Sequence, residues 1–245
     1  MEFQQAVLKA NKEIYELLRS GLDASFFHAA QEGSAGIGFG GDRSLKIDLA
    51  AEGIFIRHLS SFGRINSEEC GEIGEGEDEI VIDPIDGSSN IASGFPYYGT
   101  SVSLKRGGVP VTSVVCNLAN GDYFVRNKDE VFKASLQKEA RCLLERGLTP
   151  NLGLFEKAYT NPDVVSGLKG LGLKFRSPGA VALSLAYAHT VQFVLFVGPY
   201  REYDIIAGLH LCGDLHTYVD ENVILVSRDR RIFEAIKELF GESYA

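Results

Sequence analysis

Asp83-Pro84-Ile85-Asp86-Gly87-Ser88-Ser89-Asn90 follows Glu79-Ile80-Val81-Ile82, an apolar run that reads as the end of a buried strand. Two carboxylates therefore leave a strand end three positions apart, and a glycine and two hydroxyl residues follow at once. An acidic pair, Glu68-Glu69, begins fifteen residues upstream of Asp83. Hard divalent cations seek several carboxylate oxygens plus water. Phosphate seeks free backbone N–H groups at a turn or helix start. This short segment offers the means for both. Taken alone, Asp83 and Asp86 also fit an ordinary strand-end turn.

The bulk properties suit a phosphate-handling protein that recruits local cations. The 245 residues allow one large domain or two tightly joined halves, with ample length for a core. A net charge of −9 argues against a general nucleic-acid surface, so no nucleic-acid partner is expected. An acidic protein that binds anionic phosphate must offset its own field, which agrees with a metal site. The first twenty residues carry Lys9, Lys12, Glu13, Glu16 and Arg19, so they are not a signal peptide. Val7, Ile14, Leu17 and Leu18 instead mark one face of an amphipathic helix, with Gly21 suited to its C-terminal end. No stretch approaches a transmembrane span, and no membrane partner is expected. Cys70, Cys116, Cys142 and Cys212 lack any C-x-x-C pairing and read as reduced, mostly buried thiols of a cytoplasmic protein.

Two regions differ in pattern. After the first helix comes an apolar-periodic stretch at 24–31, then a glycine-rich loop at 33–42 that lacks G-x-G-x-x-G spacing. A helix follows over 49–59, starting near Asp48. From Thr100 the chain reads as strands at 101–104, 111–116, 123–126 and 131–134, with Asn120-Gly121 as a hairpin turn. From about residue 140 strands and helices alternate. Strands are expected at 141–144, 173–176, 192–197, 215–219 and 223–226, and helices at 162–168, 179–189, 204–212 and 229–240. The halves 1–140, mostly antiparallel sheet after its helices, and 141–245, α/β, predict a layered α/β sandwich working as one catalytic unit. The site is expected between them.

A third acidic candidate is Asp204, in Glu202-Tyr203-Asp204-Ile205-Ile206-Ala207-Gly208. Alone it reads as a helix N-cap. The spacing of Asp83 and Asp86 excludes an EF-hand loop. The five histidines (His28, His58, His189, His210, His216) show no paired spacing that suggests a nucleophile or metal ligand.

Together, Glu68-Glu69, the Asp83–Asn90 motif and the Asp204 motif resemble, in order and spacing, the signatures of the inositol monophosphatase superfamily. Asp48 after Lys46-Ile47 matches a further family aspartate, and Tyr203 stands where the family usually has Trp. The resemblance spans roughly residues 5 to 240 and implies an αβαβα sandwich of the inositol monophosphatase/fructose-1,6-bisphosphatase type. It implies a lithium-sensitive phosphomonoesterase that uses two to three Mg²⁺, with Mn²⁺ a substitute, and direct attack of a metal-activated water. Glu68, Asp83 and the Ile85 carbonyl would bind the first ion, and Asp83, Asp86 and Asp204 the second. Glu68 would orient the water, and Ser88, hydrogen-bonded by Asp48, would help activate it. The N–H groups of Gly87 and Ser88 would hold the phosphate. A homodimer, or a tetramer as in some bacterial and archaeal members, is also implied.

For the substrate, Val197 stands where animal-type members place an inositol-contacting Glu, seven residues before Asp204. Arg201, and Arg176 before Ser177-Pro178-Gly179-Ala180, offer cations suited to a second phosphate. This pattern resembles archaeal members that hydrolyse both inositol-1-phosphate and fructose-1,6-bisphosphate, the latter placing the reaction in gluconeogenesis. Arg176, Gly179, Ala180 and Arg201 are the expected substrate contacts, with Arg201 as a solvated surface residue the plain alternative. The rivals are a 3′(2′),5′-bisphosphate nucleotidase or NADP phosphatase, and a catalytically silent binding protein. The first needs an adenine pocket that no motif announces. The second is opposed by the presence of every expected ligand.

Overall fold

The computed structural model describes residues 2–20, 46–128, 130–142 and 149–241. The expectations for residue 21, 24–31, 33–42 and 143–144 lie outside the described residues. Helix α1 (Phe3–Ser20) buries Phe3, Val7, Ala10, Ile14 and Leu18, a stripe at three- and four-residue intervals. Leu17, expected on that stripe, sits at its rim and is 37% exposed. Helix α2 (Lys46–Leu59) packs beside α1, and Asp48 lies buried in its first turn.

The first sheet has eight strands: β1 (Arg64–Ser67), β2 (Gly71–Ile73), β3 (Glu79–Asp86), β4 (Gly99–Arg106), β5 (Val109–Asn117), β6 (Asp122–Arg126), β7 (Val131–Ser135) and β8 (Lys138–Cys142). Their spatial order is β2-β1-β3-β4-β5-β6-β7-β8. Among the described residues, only the β1–β3 pair in this sheet is parallel. Helix α3 (Ser88–Ala92) interrupts the path from β3 to β4.

Beyond residue 149 come β9 (Gly153–Glu156), α4 (Pro162–Gly170), β10 (Phe175–Arg176), α5 (Val181–Ala186), β11 (Val194–Val197), α6 (Glu202–Leu211), β12 (His216–Val219), β13 (Val223–Ser227) and α7 (Arg230–Lys237). The second sheet runs β10-β9-β11-β13-β12. The helix expected over 179–189 is shorter, because the chain tightens into a 3₁₀ turn at Ala188–Thr190. The strand expected at 173–176 is two residues long. Asp229 is the N-cap of α7, accepting the N–H groups of Arg231 and Ile232 at 2.8 and 3.4 Å.

Four apolar clusters join the layers. One lies between α1, α2 and the first sheet. A second joins Val115 and Phe124 of that sheet to Leu183 on α5 and Ala207 and Leu211 on α6. A third joins Leu185 and Ile205 to Val194, Ile224 and Val226 of the second sheet. The last packs that sheet's other face on α4 and α7. The result is an αβαβα sandwich, with α5 and α6 as the middle layer. A helix clasped between two sheets is apolar around most of its girth, which is why α6 carries Ile205, Ala207, Gly208 and Leu211 buried. Among the described residues no helix is long and apolar enough to cross a membrane. Cys116 and Cys212 are buried free thiols, whereas Cys70 is exposed.

The second sheet packs tightly on itself at β9. A Cβ added at Gly153 would lie 2.2 Å from the ring of Phe193, which is fully buried. Gly153→Ala is expected to destabilise the protein by about 1–3 kcal/mol through overpacking. Denaturant midpoints of the variant and wild type measure this, and an unchanged midpoint would contradict the packing described.

Candidate active site

Strand β3 runs through the motif to Asp86 rather than stopping at Ile82. In a regular strand, residues three apart point to opposite faces. Here the register against β4 shifts between Asp83, opposite Ser101, and Asp86, opposite Gly99. Pro84 lacks an N–H for the ladder, so a break at this point is natural. The irregularity changes the parity and allows both carboxylates to serve one site. Asp83 Oδ1 accepts the Ile85 N–H at 3.0 Å, and Asp86 Oδ2 accepts the Leu183 N–H, from α5, at 2.9 Å.

Glu68 follows directly after β1, which is parallel to β3, so both chains bring acids to the same sheet end. Asp204 comes from the first turn of α6, whose N-cap is Arg201. The aspartate is thus three positions inside the cap, and its Oδ2 accepts the Arg201 N–H at 3.1 Å. One oxygen each of Glu68, Asp83 and Asp204 lie within 4.8 Å of one another. Asp86, with its anchored Oδ2, flanks this group.

Most of these acids are buried, with Asp48, Asp83 and Asp86 at 1%, 3% and 6% exposure, while Asp204 is half-buried. Burial, then repulsion from Glu68, Asp86, Asp204 and Asp48, pushes the Asp83 carboxyl well above its usual range. Asp86 is also pushed up, first by burial, with the Leu183 N–H opposing and Asp204, Glu156 and Glu68 adding repulsion. A set of hard oxygen donors that repel one another suits a hard divalent cation.

Gly87 stands between β3 and α3 with φ +96°, a region that favours glycine. A Cβ there would meet the Tyr97 carbonyl at 3.1 Å and Ala180 at 3.2 Å. The Ser88 hydroxyl donates to the Ile85 carbonyl at 3.1 Å, so it turns there rather than to Asp48. A carbonyl keeps a second lone pair for another partner.

The acids floor a cavity of about 610 Å³ that Gly87, Ser88, Gly179, Ala180 and Arg201 also line. Arg201 does not stand apart as a surface residue. Its Nη2 lies 2.7 Å from Glu68 Oε1 and 3.0 Å from Asp204 Oδ1. Arg176 is not brought to the cavity wall, and its Nη1 donates to the neighbouring Phe175 carbonyl at 2.8 Å.

Several wall residues escaped the sequence reading, Glu156, Lys157 and Tyr159 among them. Glu156, 3% exposed at the end of β9, accepts the Gly179 N–H at 2.8 Å, the Ala180 N–H at 3.4 Å and the Ser184 hydroxyl at 2.5 Å. Burial raises its pKa against these hydrogen bonds. It therefore pins the 179–180 loop over the site. Asn90, the last residue of the quoted motif, ties the same loop to α3 by donating to the Tyr97 and Pro178 carbonyls at 2.6 and 2.7 Å. Lys157 holds the left-handed backbone at φ 58° and lies over the Phe196 ring at 4.7 Å. His58, His189 and His210 are engaged elsewhere, with Glu13, the Leu211 carbonyl and Ser113.

Known proteins place this architecture. A fructose-1,6-bisphosphatase/inositol-1-monophosphatase of Thermococcus kodakarensis is 26% identical over 239 residues, covering 84% of this chain and 87% of that protein. A Nus factor SuhB of Xylella fastidiosa is 27% identical over 191 residues, 73% of this chain and 68% of that protein. The crystal structure of the MJ0109 gene product, an inositol monophosphatase-fructose 1,6 bisphosphatase, superposes with a TM-score of 0.81 at 21% identity. The match covers 98% of this chain and 100% of that one, and so shares the fold. The model of the inositol monophosphatase family matches residues 2–222. The chain therefore belongs to the inositol monophosphatase family and is a phosphatase.

Proposed function

We propose that this protein is a Mg²⁺-dependent phosphomonoesterase that hydrolyses inositol-1-phosphate and fructose-1,6-bisphosphate. The observation that carries this reading is the convergence of Glu68, Asp83 and Asp204 oxygens within 4.8 Å on the floor of a cavity lined by Gly87 and Ser88. Glu68, Asp83 and the Ile85 carbonyl would hold one ion, and Asp83, Asp86 and Asp204 another, with Mn²⁺ a substitute. Bound metal would supply charge neutralisation on the phosphoryl oxygens and a more acidic water.

The chain's own groups do the positioning. Gly87 lets the backbone approach a phosphate closely, and the first N–H groups of a helix have no partner within that helix. Glu68 would orient the nucleophile. Ser88, whose hydroxyl donates to the Ile85 carbonyl, would help activate it, and Asp48 adds negative charge from α2. Glu156 fixes Gly179 and Ala180 on the cavity wall, where they would meet the substrate. The half 141–245 thus supplies Asp204 and the loop, and 1–140 the remaining acids, as one catalytic unit.

Dual specificity draws support from the cations on the cavity wall, Arg201 and Lys157, and from the double name of the Thermococcus relative. The exposed Tyr159 ring on the same wall favours the nucleotidase alternative, since it offers a face for adenine. The relatives named Nus factor SuhB raise a binding role beyond catalysis, and the net charge of −9 weighs against a nucleic-acid partner for it.

Steady-state hydrolysis of inositol-1-phosphate, fructose-1,6-bisphosphate and 3′-phosphoadenosine 5′-phosphate, with and without Mg²⁺, tests the reading. Comparable Mg²⁺-dependent kcat/KM on the first two is expected, and preference for the third would replace it with the nucleotidase. Asp83→Asn is expected to lower kcat/KM by more than about 100-fold with the fold intact by circular dichroism, since loss of outer metal partners alone costs up to about that much. Wild-type turnover would refute the site. Lys157→Met removes a cation from the wall. It is expected to lower kcat/KM for the bisphosphate about 10-fold or more relative to inositol-1-phosphate, the worth of one charge-assisted hydrogen bond. Equal losses on both substrates would exclude Lys157 from reading the second phosphate.

A further inference from the structure

Arg201 connects the acids to the cavity. Its guanidinium pairs with Glu68 Oε1 at 2.7 Å and Asp204 Oδ1 at 3.0 Å, and its Nε donates to Asp204 Oδ2 at 3.2 Å. Glu68 and Asp204 are two of the three residues whose oxygens converge within 4.8 Å. A guanidinium and a divalent cation therefore draw on the same carboxylates, and two cations so close repel each other. The carboxylate side chains are only 11% and 18% exposed, whereas that of Arg201 is 32% exposed and borders the cavity. The arginine is the partner with somewhere to go. Its backbone N–H separately holds Asp204 Oδ2 at 3.1 Å, so the side chain can leave without undoing the start of α6.

We propose that Arg201 is an exchangeable counter-ion of the metal centre. It offsets part of the charge of Glu68 and Asp204, a divalent cation displaces its guanidinium from them, and the freed side chain turns into the cavity to meet the anionic substrate. This rests on the metal-dependent reading above. The charge bookkeeping gives the device its use: metal entry adds two positive charges at the floor, and the guanidinium it displaces carries its own charge from the carboxylates toward the substrate, a net gain of two for the cavity. The pocket becomes attractive to a phosphate when the metal is in place. Metal and anion then strengthen each other's binding, and the linkage is reciprocal. The fork of Arg201 suits both tasks, since it pairs with carboxylate and phosphate through the same geometry.

Titration of the whole chain with Mn²⁺, following free Mn²⁺ by electron paramagnetic resonance, tests this with and without inorganic phosphate. Arg201→Gln is expected to bind Mn²⁺ about tenfold tighter than wild type when phosphate is absent. Phosphate is expected to tighten Mn²⁺ binding to wild type, and to do so less in Arg201→Gln. Arg201→Lys, which keeps the charge without the fork, should fall between the two, and circular dichroism verifies folding of each variant. Equal or weaker Mn²⁺ binding by a folded Arg201→Gln, with wild type binding Mn²⁺, would overturn the counter-ion role and leave the phosphatase reading standing. Should Arg201→Gln fail to fold, Mn²⁺ affinity and phosphate linkage identical in Arg201→Lys and wild type would overturn it. No Mn²⁺ binding by wild type under either condition would overturn the metal reading and the counter-ion role together.

Discussion

The repulsion among buried carboxylates is the constraint around which this molecule is arranged. Asp83 and Asp86 are almost fully buried, and each is pushed toward its neutral form by burial and by its acidic neighbours. Left to local preferences, Glu68, Asp83, Asp86 and Asp204 would separate into water. They are held by backbone that cannot easily move: β1 and β3 inside an eight-stranded sheet, and α6 clasped between two sheets. Fixed donors relieve part of the strain, through the Ile85 and Leu183 N–H groups, and Arg201 relieves more as the cation already present. A site built this way has a standing affinity for positive charge, and a phosphate ester is the substrate class that positive charge there would serve.

The five layers explain why the site lies where it does. The β3 irregularity turns Asp83 and Asp86 toward the middle layer, where α6 brings Asp204 and α5 brings the Leu183 N–H. The second sheet contributes through Glu156 at the end of β9. Its carboxylate sets the Gly179–Ala180 loop, while Asn90 fixes the same loop from the first sheet's side. The two sheets are thus tied by polar contacts at the site as well as by the apolar clusters beneath it. Movement of either sheet would change the cavity.

Much of this was legible in the chain. The Asp83–Asn90 motif, Glu68 and Asp204 are distinctive because their chemistry demands particular residues at particular spacings, and the family followed from them. The helices α1 and α2 and the long strands β4 and β5 were legible from their apolar periodicity. The missed elements were those whose identity is tertiary. Strands β1 and β2 are four and three residues long and partly polar. Strand β9 opens on a glycine and ends on an acid, and it is a strand because β10 and β11 flank it. Glu156 and Lys157 share that ending, so nothing local marked them as wall residues. Arg176 and Arg201 looked alike in sequence. Their difference comes from α6, which delivers one arginine to the acids, and from the edge strand β10, which leaves the other on its own neighbour's carbonyl.

The most direct measurement is anomalous diffraction from a crystal of this protein soaked in Mn²⁺. A peak bounded by Glu68, Asp83 and Asp204, with the Arg201 guanidinium moved off Glu68, is the predicted result. A map with no peak among these carboxylates, and Arg201 still paired with Glu68, would contradict a metal-dependent phosphatase centre at this site.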